Sequence, residues 1–189
     1  MRLRVDVKSF PQGTTMEFYQ EPRSPRVRDL FNKGFAALER GNLDYAIDML
    51  TEALRQEPAC LQIRKFLRAA EIKKFRTLPL SKRLATLVNA VPLYIRTLIN
   101  LQTGRSEEAF RTAENLLRLN PLNGTLLMLY TDAAQAAGCE EAAIQTLSMV
   151  REHRPNDLIM IERLGTLQMK AGQARQAREI FEFLAERKP

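Results

Sequence analysis

Side chains able to do covalent or metal chemistry are few among these 189 residues. There is one histidine, His153, and there are two cysteines, Cys60 and Cys139. One imidazole and two distant thiols do not make a metal site, which takes three or four ligands at short spacing. His153 ends a helical stretch beside Arg154-Pro155, where a cation meets the helix dipole. A Ser-His-Asp arrangement would have to use it, and no strand-turn-helix nucleophile motif accompanies it. No glycine-rich loop offers backbone amides to a phosphate. The expectation is a non-enzyme with no metal and no cofactor. A disulfide between Cys60 and Cys139 would have to span distant parts of the chain, so a reducing compartment is expected. The first 20 residues hold no apolar run of signal-peptide length, and no segment approaches the ~20 apolar residues of a membrane span. The reading is cytoplasmic.

Groups that could grip another molecule are more numerous. The formal net charge is +7, and segment 59–89 carries a charge equal to the whole of it. Arg64, Lys65, Arg68, Lys73, Lys74, Arg76, Lys82 and Arg83 lie there. They form one local basic face, either simply solvated or a dock for an acidic protein segment. Nucleic-acid association through 61–83 is a further alternative. Single-strand binders usually add stacking aromatics, and only Phe66 and Phe75 stand among these charges.

The elements that position these groups follow from a repeat. Gly104, Ala109 and Pro121 recur as Gly138, Ala143 and Pro155, then as Gly172, Ala177 and Pro189, each 34 residues further on. Gly41, Ala46 and Pro58 are an earlier set in the same internal spacing. Such a period predicts an array of helix–turn–helix units. Ser24-Pro25 opens the first helix, roughly 26–40, and a second covers roughly 44–56. Ile63, Phe66, Leu67 and Ala70 make a helical stripe, broken at Leu78-Pro79. Leu80, Leu84, Leu87, Val88 and Val91 form another, and a separate helix is expected over about 92–103. Helices at about 106–119, 124–137, 140–153, 157–171 and 174–187 complete about ten. The division is an arm over 1–25, with Leu3, Val5 and Val7 alternating as in a strand, and an array over 26–189. Its repeats are about 27–60, 61–89, 90–123, 124–157 and 158–189, the second degenerate.

Gly34, Gly41, Ala46, Ala53 and Pro58 match the small-residue and proline positions of the tetratricopeptide repeat, which the chain resembles over about 130 residues. Ala37 departs from the pattern, standing where the family has a large aromatic. The resemblance implies an all-α, right-handed superhelical solenoid of antiparallel helix pairs. It implies an adaptor or scaffold that binds a partner segment in a concave groove. Carried over in phase, the groove residues are Phe31, Phe35, Leu38, Tyr94, Leu98, Leu101, Met128, Asp132, Gln135, Glu162, Thr166 and Met169. In the degenerate repeat the apolar stripe sets the phase instead and leaves Arg64, Arg68 and Glu71 toward the groove. A dedicated chaperone for a secreted or assembling client is the alternative. The family's carboxylate clamp needs Lys and Asn where this chain has Phe31 and Phe35, so that function is not expected. Ile180, Phe181, Phe183 and Leu184 spread over more than one face of the last helix, which predicts an apolar patch met either by a second copy, as a homodimer, or by residues beyond the given sequence.

Overall fold

The computed structural model describes residues 22–187, so the arm's expected strand lies outside the described residues. The described residues form α1 (Pro25–Glu39), α2 (Leu43–Gln56), α3 (Leu61–Thr77), α4 (Leu80–Gln102), α5 (Ser106–Leu119), α6 (Gly124–Ala136), α7 (Glu140–Arg151), α8 (Leu158–Lys170) and α9 (Ala174–Ala185). The fold is all-α, a solenoid in which successive helices pack antiparallel except between α3 and α4.

The periodic glycines explain the turns. Gly41, Gly104, Gly138 and Gly172 have φ of 78°, 72°, 68° and 75°, the left-handed region that favours glycine. After each, the next amide donates back across the turn: Asn42 to Ala37, Arg105 to Asn100, Cys139 to Ala134 and Gln173 to Gln168. These bonds satisfy helix-end carbonyls in the same way four times over. At helix starts, the side chains of Asn42, Asn123 and Asp157 accept from Tyr45, Leu126 and Met160. Ser24 makes no side-chain cap. Its amide and that of Arg23 donate instead to the Glu57 carboxylate at 2.8 and 3.0 Å, tying the start of α1 to the end of α2.

The periodic alanines sit at the seams. Ala46, Ala109, Ala143 and Ala177 are fully buried. Ala177→Leu is expected to overpack the α8–α9 seam and cost about 1–3 kcal/mol, read as a lower melting temperature. A wild-type melting temperature would show that this seam has room to spare.

One expectation fails at α4. The two helices read around Val91-Pro92 are a single helix of 23 residues with Pro92 inside it. Proline forfeits one backbone bond and costs roughly 3 kcal/mol in a helix interior, but neither glycine nor a capping residue stops the helix there. Its C-terminal half is built into the array, with Thr97 and Asn100 buried and α5 and α6 alongside. Its N-terminal half stands clear: Leu80, Leu84 and Val88 are 75%, 65% and 73% exposed. At an 18-residue mean hydropathy of 1.3, α4 also has the length and apolarity of a membrane span, contrary to the reading from sequence.

With α4 fused, α3 has no antiparallel partner of its own. It packs on α2 and lies against α5 and α7. Two cores result, one within α1–α3 and one reaching from Ile72 and Ala90 through α5–α9. The side chains of α3 join them.

Candidate functional site

Arg64 and Arg68 are not on an open groove; they are 3% and 1% exposed, and Glu71 is 2% exposed. Arg64 pairs with Glu114 of α5 and donates to the Pro58 carbonyl at 2.6 Å. Arg68 pairs with Glu71 and, at 3.1 Å, with the second Glu114 oxygen. The guanidinium groups lie 5.0 Å from the Phe110 ring and 5.6 Å from the Tyr130 ring, respectively. The stripe reading turned them outward because arginine usually faces water. Acceptors and rings on α5 and α6 turn them inward instead.

Burial pushes the Glu71 carboxyl up to about 7, although Arg68 beside it pulls the other way. Its Oε1 has no hydrogen-bond partner. Burial also pushes Glu114 up, but Arg64 and Arg68 outweigh it and hold that carboxyl below its ordinary value. The network is a polar bolt between the two cores.

Phe31 is 8% exposed and is likewise core. It meets Phe35 at 6.3 Å and Phe66 at 5.4 Å between ring centroids, and Phe35 meets Phe66 at 4.9 Å. Leu38 packs against the same cluster. The N-terminal part of the predicted groove is therefore filled by its own aromatics. Tyr94, Leu98, Leu101 and Met128 are half-buried against the second core.

The remaining predicted positions lie on α6 and α8. Asp132 pairs with Arg163, whose Nε donates to the Thr131 hydroxyl at 3.2 Å. Gln135 and Thr166 are half-buried, Glu162 is exposed, and Met169 is 51% exposed. At the N-terminal ends of α6 and α8 a cleft of about 940 Å³ opens, lined among others by Thr125, Met128, His153, Leu158 and Ile159. Arg154 straps its wall, donating to the Leu122 carbonyl at 2.6 Å and pairing with Asp157 at 3.0 Å. Both are committed to the scaffold, and Ile159, 74% exposed, is left at the rim. Position matching named Glu162, Thr166 and Met169 in this repeat and did not include Ile159. Its signal was an isoleucine just behind the Asp157 cap.

The basic face divides. Lys74 pairs with Asp44. Arg83 stacks 5.4 Å from the Phe75 ring and donates to the Leu78 and Arg76 carbonyls at 2.9 and 2.6 Å. Lys65 is half-buried, while Lys73, Arg76 and Lys82 are exposed. Arg76 Nη1 lies 3.5 Å from His153 Nδ1.

The expected patch on α9 is largely covered. Ile180 and Leu184 are 1% and 5% exposed. Phe183 sits between the guanidinium groups of Arg151 and Arg187, 5.1 and 3.9 Å from its centroid. Only Phe181 is exposed, at 37%, and part of its ring lies over Gly165. Glycine admits that close approach, and the charged neighbours cover what helix α8 does not.

No family model matches the chain, and no curated protein matches it. Among solved structures, MamA from Desulfovibrio magneticus RS-1 is 16% identical, with 86% of this chain and 95% of that chain covered at a TM-score of 0.46. MamA of MSR-1 is 17% identical, with 88% and 100% covered at 0.45. These values are too low to bear on function. The antiparallel pairs, buried alanines and left-handed glycine turns themselves make the fold an all-α helical-repeat array.

Proposed function

We propose that the chain is a protein-interaction module that holds a segment of a partner protein against α6 and α8. The observation that carries this reading is the cleft of about 940 Å³ with Ile159 74% exposed at its rim. A peptide side chain entering there would exchange water for Met128, Leu158 and Ile159. Asp132, Glu162 and Arg163 along the same face offer hydrogen bonds to a backbone laid over it.

The test places a photo-cross-linking amino acid at position 159 in the native cell, with position 175 on α9 as control. The captured protein is identified, and overlapping peptides from it are titrated against the purified chain. Ile159→Asp is expected to weaken the binding peptide roughly tenfold or more, since it places a charge where an apolar anchor was desolvated. Equal affinity of the two forms, or equal capture from 159 and 175, would overturn the reading.

A further inference from the structure

The least explained surface lies on α4, away from the α6–α8 cleft. Leu80, Leu84, Val88, Val91, Ile95 and Ile99 are each between 51% and 75% exposed. At 100° per residue they share one stripe about 100° wide and about 28 Å long. Together with Leu87, 41% exposed, they present roughly 700 Å² of apolar residue surface, more than the usual largest patch on a monomer.

We infer that this stripe is covered by a second copy of the chain, α4 packed antiparallel on α4 about a two-fold axis. The exposed residues fall at intervals of 4, 4, 3, 4 and 4, a series that reads the same in both directions. A two-fold contact requires that if residue i meets j, then j meets i. Centred between Asn89 and Ala90, this stripe does so throughout. Leu80 falls opposite Ile99, Leu84 opposite Ile95, and Val88 opposite Val91, with Leu87 opposite Pro92. Complete cover of two such stripes would remove up to roughly 1,400 Å² from water, within the range of stable protein interfaces.

Lys82, Arg83 and Arg96 are the charged residues of α4, and all lie more than about 100° around the helix from the stripe's midline. A seam built for an acidic helix would carry its cations along its borders. Placed behind the stripe, they neither select an acidic partner nor repel an identical helix. Because the N-terminal half of α4 is exposed on nearly every side, a partner helix meets no obstruction there.

Light scattering on the purified chain across micromolar concentrations tests the inference. The expected mass is twice the 21.7 kDa of one copy. Leu84→Asp with Val88→Asp should return it to one copy at unchanged helicity, because both side chains project from an unpacked part of the helix. Phe181→Asp should leave the dimer intact. Orientation is tested by cysteine pairs. With Cys60 and Cys139 replaced by Ser, a mixture of L84C and I95C chains should oxidise to a covalent dimer, whereas L84C alone should not. A disulfide needs Cα atoms within about 7 Å, and the antiparallel pair sets the two Leu84 positions about 16 Å apart along the axis. A monomeric wild type, a dimer that survives the double aspartate variant, or cross-linking of L84C alone would each overturn the inference. So would a monomer that sediments with anionic phospholipid vesicles through this stripe, which would make a lipid surface the occupant. None of these outcomes depends on Ile159, so the cleft stands or falls separately.

Discussion

Arg68→Met is expected to destabilise the chain by about 3–5 kcal/mol, the cost of leaving buried carboxylates without their cation. Arg68 is among the largest fully buried side chains, and it holds Glu71 and Glu114 together. Methionine fills much of the same volume, so lost packing contributes little and lost charge dominates. Urea unfolding should show a lower midpoint at an unchanged slope. Replacing Glu71 as well, by Met, should recover part of the loss, because the pair is then removed rather than broken. Lys65→Glu, one residue from Arg64 but half-exposed, is the control and should shift stability by less than about 1 kcal/mol. A wild-type midpoint for Arg68→Met would mean that the network contributes nothing to joining the two cores. Replacing both Arg64 and Arg68 with Glu should damage the fold itself, because it would crowd four carboxylates into one buried site.

Stability is also expected to fall as pH rises from about 5 to 8. The folded chain holds a proton on Glu71 up to about 7, whereas the unfolded chain releases it near the ordinary 4.5. Between those values the folded state binds more protons, so this contribution is complete below 4.5 and is lost as pH rises through about 7. The shift corresponds to about 3 kcal/mol at most. Glu114 has the opposite sign: its lowered value stabilises above the ordinary carboxylate range and is lost as pH falls. The two together place maximal stability in mildly acid solution. Glu71→Gln keeps the shape and removes the titrating group. Its urea midpoint should be nearly flat over pH 5–8, where the wild type declines. Parallel profiles for the two proteins would remove Glu71 as the source.

The candidate surfaces were legible unevenly, and particular residues show why. Tyr94, Leu98, Leu101 and Met128 were placed by repeat phase, and the structure has them half-buried along the second core. Phe31 and Phe35 were placed by the same rule, but the phase cannot say that Phe66 folds across to meet them. On α9 the sequence shows four apolar residues on several faces. That Arg151, from a different helix, would cover Phe183 is a distance in space.

By itself the sequence determined the all-α array. The positive φ of Gly41, Gly104, Gly138 and Gly172 and the burial of Ala46, Ala109, Ala143 and Ala177 are local demands of a turn and a tight seam. Local demands leave a periodic mark on the chain. Only the tertiary structure decided that α4 continues through Pro92, that its apolar stripe faces outward, and that Arg64 and Arg68 face inward. Helical periodicity states which residues share a stripe but not what that stripe meets. Arg64 is buried because its counter-ion, Glu114, arrives from 50 residues away. The Val91-Pro92 joint stays helical with the half that follows it packed against α5 and α6, so proline's cost is borne without ending the helix. The fusion deprives α3 of its pair and leaves the stripe from Leu80 to Ile99 with nothing in its own chain, among the described residues, to cover it.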